Sequence, residues 1–153
     1  SIGFALRFCR HLQARERSLN YPTSRCISNF PLKNMPDKAT HLTQAHHNEA
    51  FGSTIDSSVY SDWAVTVIFY QALQYVDALL AEEGNAHSGG HDVRDNEISK
   101  RPKLRSIAKF YFRLKNRSRN ARYRAARFPV AEVERCKNED LTRIRDHILS
   151  QLS

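Results

Sequence analysis

Between Ser61 and Glu83 apolar side chains leave almost no polar face. Trp63, Val65, Val67, Ile68, Phe69, Leu73, Val76, Leu79 and Leu80 fall on nearly every side of the helix that their spacing predicts. A helix apolar nearly all round needs neighbours on all sides, so it belongs in the middle of a bundle. Trp63, Phe69 and Tyr70 are accordingly expected in the core. Ser61-Asp62 suit the start of this helix as capping residues, and Gly84 suits its end.

The remaining periodicity supplies the neighbours. A first helix is expected from about Lys38 to Ile55, with Ala39, Leu42, Ala45 and Ile55 on its apolar side, ended by Gly52, Ser53 and the Asp56-Ser57-Ser58 cluster. Gly89-Gly90 open a loop, and a short helix follows at Val93 to Ser99. Pro102 suits the first turn of a long helix whose Leu104, Ile107, Ala108, Tyr111 and Leu114 form one stripe. After Phe128-Pro129 a last helix carries Val133, Cys136, Leu141, Ile144, Ile148 and Leu152. Gly and Pro number only five each, which argues against a turn-rich sandwich or barrel. The fold class expected is all-α, a four- to five-helix up-and-down bundle.

Charge is the second constraint. The net charge of +8 is concentrated in two stretches. Residues 1–34 carry Arg7, Arg10, Arg15, Arg17, Arg25 and Lys33 against Glu16 alone. From Lys100 to Arg127 there are twelve Lys and Arg residues and no Asp or Glu. Such self-repulsion costs stability unless a polyanion offsets it. Tyr111, Phe112, Tyr123 and Phe128 are interleaved with these cations and could stack on bases. RNA or another polyanion is therefore the expected partner, an acidic protein the competing one, and a solvated face without a partner the bland alternative.

The sole methionine, Met35, marks a change of character. Residues 1–34 are a basic extension with three competing readings: sequence upstream of a natural start at Met35, a targeting presequence, or a genuine element. Residues 35–153 form the bundle. Cys9, Cys26 and Cys136 are an odd number with no metal-ligand spacing, which points to a reducing compartment, inert thiols and a cytoplasmic location. The longest nearly unbroken apolar run, Trp63 to Tyr70, is short of a membrane span. His87, His91 and Asp92, like His41, His46 and His47, lack a convincing ligand set, so no metal is assigned. No P-loop, dinucleotide fingerprint or nucleophile elbow implies a cofactor.

Asp62-Trp63-Ala64-Val65 followed by Phe69-Tyr70-Gln71-Ala72-Leu73, then Val76, Ala78 and Leu79, then His91 and Arg94, then Ser118-Arg119-Asn120-Ala121-Arg122-Tyr123, resembles a prokaryotic subgroup of the HEPN family. The resemblance covers about residues 38–150. It implies a HEPN-like four- or five-helix bundle that commonly forms homodimers, and a connection to RNA or nucleotides within toxin–antitoxin or defence systems. Many members are metal-independent ribonucleases with an Arg followed by a His after four to six residues. That spacing is absent here. A shorter one occurs at Arg143-Ile144-Arg145-Asp146-His147, and Gln74 stands where the subgroup frequently has His.

These readings define the candidate residues. Arg113, Arg117, Arg119, Arg122 and Tyr123 are the expected nucleic-acid face, His91 and Arg94 a second ligand site, and Arg143 with His147 the candidates for catalysis. Arg122 could also cap carbonyls or pair with Asp62 or Asp77. The leading function is an RNA- or nucleotide-binding module without assured catalysis. The alternative is a non-catalytic homo-oligomeric protein-interaction module of a toxin–antitoxin or mobile-element system.

Overall fold

Twenty-two residues, Ser61–Glu82, form the helix around which the others gather, and sixteen of them are buried. The structure is a computed structural model describing residues 36–84 and 90–153. The basic extension 1–34, the start at Met35 and His87 lie outside the described residues. Among those described there is no strand, and they are all-helical, as the periodicity predicts.

Helix α1 spans Lys38–Ser53 and starts on Asp37, whose carboxylate accepts from the Thr40 N–H at 2.8 Å. Its buried face is His41 and Ala45, not Ala39, which is exposed. The His41 Nδ1–H donates to Gln74 Oε1 at 2.7 Å, so the pairing with α2 is partly polar. Gly52 lets the two helices approach: a Cβ there would lie 3.1 Å from Gln71 Nε2 and 3.2 Å from Val67 Cγ1.

Helix α2 is Ser61–Glu82, with Val65, Phe69, Ala72, Tyr75, Val76 and Leu79 almost fully enclosed. It is long and apolar enough to cross a membrane by length and composition, with mean hydropathy 1.4, although no apolar run within it suggested this. Yet 83% of that window is buried, as a core helix requires. Two expectations fail at its first turn. Its N-cap is Tyr60 rather than Ser61 or Asp62, and Ser61 instead accepts from the Phe128 N–H at 3.0 Å. Trp63 is 58% exposed, because the side of the helix it occupies looks past the bundle. Gly84, with φ of 75°, takes the left-handed conformation after the helix.

Helix α3 runs His91–Lys100 and stops before Pro102, which forces Arg101 into extended backbone. The Arg101 side chain reaches both Glu97 and Glu83, tying the ends of α2 and α3 together. The long helix expected from Pro102 is two: a single turn, α4 (Pro102–Arg105), then α5 (Ala108–Arg124). Leu104, Ile107, Tyr111 and Leu114 remain in the core as expected.

The last helix begins as α6 (Val130–Arg135), widens into a π-helical segment (Cys136–Leu141) and continues as α7 (Thr142–Leu152). The sequence carries the trace of this widening. Val133, Cys136, Leu141, Ile144 and Ile148 form the buried stripe, with a step of five where an α-helix would use three or four. The extra residue turns Asp140 inward beside Leu141, and Asp140 is only 2% exposed. That buried carboxylate decides the fate of two expected binding residues.

Candidate nucleic-acid interface

Nine residues on an α-helix amount to two and a half turns, so Arg113 and Arg122 point to opposite sides of α5. The expected single face of Arg113, Arg117, Arg119 and Arg122 is therefore two stripes. One faces the π-helical segment. Arg113 donates to Asp140 through Nε at 2.8 Å and through Nη2. Arg117 donates to Glu132 at 2.6 Å and lies 3.8 Å from Asp140. Both guanidiniums thus hold α5 against the last helix. Arg113 and Arg117, expected as phosphate-binding residues, are instead held in ion pairs, and drawing Arg113 away would leave the buried Asp140 with the more distant Arg117 alone.

The second stripe is Lys115, Arg119 and Arg122, spaced i, i+4 and i+7, with Tyr123 beside it. Lys115 is paired with Asp95 of α3. No carboxylate lies within salt-bridge reach of Arg119 or Arg122 among the described residues. Asp62 and Asp77, the partners envisaged for Arg122, are taken by Arg127 and Arg94 respectively. Arg122 instead donates to Tyr70 Oη at 3.0 Å and to the Ser118 carbonyl at 3.3 Å. Its Cζ lies 5.5 Å from the Tyr70 ring and 5.3 Å from the Tyr123 ring. Tyr123 is 74% exposed. Cations near a helix C-terminus are favoured by the helix dipole, which lets this end of α5 carry unpaired charge. Of the other expected stacking residues, Tyr111 is fully enclosed and Phe112 half-buried. Burial denies Tyr111 any contact with bases.

Beneath this stripe lies a polar floor. Among the described residues, four buried atoms have no hydrogen-bond partner: His91 Nδ1, Asp95 Oδ1, Tyr111 Oη and Ser118 Oγ. The Tyr111 phenol sits beside Arg94 without closing a hydrogen bond of good geometry, and burial raises its pKa. His91 stacks 6.0 Å from Phe69. Burial lowers its pKa, and the charges of Arg94, Lys115 and Arg122 lower it further. Asp95 acts in the opposite direction, so burial remains the leading cause.

The expected pair His91 and Arg94 is divided by this arrangement. Arg94 is 4% exposed and spends its guanidinium on Asp77, so as a ligand-binding residue it is corrected to a core ion pair. His91, half-buried at the start of α3, remains beside the Lys115 and Arg122 charges.

Arg143 and His147 contact different groups. The His147 Nε2–H donates to the Lys103 carbonyl at 2.6 Å, which occupies its proton in fixing α4. Arg143 stacks over Phe110, with Cζ 5.3 Å from the ring, alongside Lys109 at 4.8 Å and Arg113 at 5.5 Å. The Lys103 carbonyl thus orients the His147 imidazole against α4, and no contact joins it to Arg143 among the described residues. Sequence reasoning missed this Phe110 cluster, although Lys109 next to Phe110 and Arg113 three residues on were its visible signal. It also missed Trp63 as a surface residue. Among the described residues no group of three His, Cys, Asp or Glu side chains gathers as a metal site.

Comparison with known proteins finds no matching family model, no similar curated protein and no similar solved structure.

Proposed function

We propose that this chain is a helical RNA-binding module, HEPN-like in organisation, that grips phosphates through Arg119 and Arg122 rather than through the whole basic helix. The observation that carries this reading is Arg122: a guanidinium between two tyrosines, unopposed by any described carboxylate, next to the exposed Arg119 stripe of α5. Guanidinium presents a fork of donors that matches phosphate oxygens, and the exposed Tyr123 ring offers a stacking face next to it. Binding is the activity proposed, because the Arg-to-His spacing of the family's ribonucleases is absent from the sequence. A place in a toxin–antitoxin or defence system follows only from the HEPN resemblance.

Titration of labelled RNA at increasing salt tests the reading. Two or three phosphate contacts to a single strand give a log–log slope of about −1.4 to −2.1. Absence of binding to any RNA at low salt rejects it.

A further inference from the structure

Trp63 stands on the open side of α2 and lines two adjoining hollows. One, of about 470 Å³, is bounded by Phe51, Ile55, Asp56, Tyr60 and Trp63. The other, of about 170 Å³, is bounded by Asp62, Trp63, Thr66, Ala121 and Arg122. Trp63 therefore joins an apolar groove, at the turn between α1 and α2, to the unpaired guanidinium at the end of α5. Phe51 and Tyr60 are each about as exposed as Trp63. Three large aromatic side chains left in water on one surface need a partner.

We infer that the groove of Phe51, Tyr60 and Trp63 receives the unpaired bases of a single nucleic-acid strand whose phosphates follow Arg122 and Arg119. The inference rests on the RNA reading above and adds its substrate class: single-stranded, not duplex. Aromatic faces stack on bases of any sequence but cannot reach bases that are paired inside a helix. Charge argues for this occupant over a second copy of the chain. Self-pairing would bring two sets of Arg119 and Arg122 into one contact, where Asp62 already holds Arg127 at 2.6 Å and Asp56 is bound to Ser58. A strand of phosphates supplies the missing negative charge continuously.

Trp63 is the only tryptophan in the chain, so its emission reports on the groove directly. The test titrates full-length protein with an unstructured oligouridylate of about ten nucleotides, and separately with a duplex RNA of equal charge. Stacking predicts saturable quenching of Trp63 by the single strand. It also predicts about tenfold weaker binding of that strand by Trp63→Leu, measured by anisotropy of labelled RNA, with duplex binding unchanged. Trp63 is mostly exposed, so this variant keeps its fold, which circular dichroism verifies. RNA bound with unchanged Trp63 emission and equal affinity for Trp63→Leu overturns the stacking inference and leaves the RNA reading standing. No RNA bound at all removes both. A blue shift of Trp63 emission with rising protein concentration, accompanied by a doubled mass in light scattering, assigns the groove to self-association and overturns the inference.

Discussion

Arg94 of α3 and Asp77 of α2 meet through two parallel hydrogen bonds, Nε to Oδ1 at 2.6 Å and Nη2 to Oδ2 at 2.7 Å, with both side chains about 95% enclosed. The bidentate geometry fixes how α3 lies on the central helix, and with it the position of His91. Removing one partner strands a buried charge. Asp77→Ala should therefore cost about 3–5 kcal/mol in urea unfolding, whereas the double variant Asp77→Leu with Arg94→Met should recover most of it. Equal losses in the two variants would mean that the pair contributes packing rather than charge.

Helix α5 ends on Ala125 at φ 51°, the left-handed region that only glycine enters without strain. The Ala126 N–H closes back on the Asn120 carbonyl at 3.2 Å, so the conformation is fixed by the capping pattern. Ala125→Gly should raise stability by up to about 1 kcal/mol, read as a shift of the urea midpoint at constant slope. A lower midpoint would show that the backbone here is not strained.

His91 sets a pH dependence. In the unfolded chain its ordinary value is 6.5, and in the folded state burial and neighbouring cations lower it. The folded state thus binds fewer protons, so the stability it contributes is complete above pH 6.5 and is lost as pH falls from there toward the folded value. Asp37, Asp56 and Glu83, whose pKa values are also lowered, add their losses at more acid pH. Proton NMR should find the His91 ring titrating below 6.5 in free protein. Adding RNA should move it upward, because a phosphate favours the imidazolium form. A His91 titration at 6.5 or above in free protein would contradict its burial beside Arg94, Lys115 and Arg122.

Cys136 opens the π-helical segment at 1% exposure, and burial pushes its thiol up to about 11. At pH 8 iodoacetamide should leave Cys136 unmodified in native protein and label it in urea, as mass spectrometry of the Cys136 peptide would show. Labelling at equal rates in both states would place the thiol outside the core.

The helices were legible because core periodicity survives in the sequence: Val65, Phe69, Val76, Tyr111, Leu114, Ile144 and Ile148 all lie where spacing puts them. Even the π-helical step is written in the interval from Cys136 to Leu141. What was not legible was which cations are spent. Asp140 is 27 residues from Arg113, and Asp77 is 17 from Arg94, so their pairing depends on tertiary contacts that no local pattern records. A stretch without acids looked unopposed only because its counter-charges arrive from other helices: Glu83, Asp95, Glu132 and Asp140. Trp63 misled for a related reason. A helix apolar nearly all round still shows one side to solvent when the bundle closes on its other faces.

The central claim divides α5 into a spent stripe and an available one, and a salt titration of two variants tests it most directly. The measurement is the affinity for single-stranded RNA against salt, for the double variant Arg119→Gln with Arg122→Gln and for Arg113→Gln, whose amide can still donate to Asp140. The account predicts that the double variant lowers affinity and flattens the slope by about 1.4, while Arg113→Gln binds as the parent does. Loss of binding in Arg113→Gln, with the double variant unaffected, would contradict it.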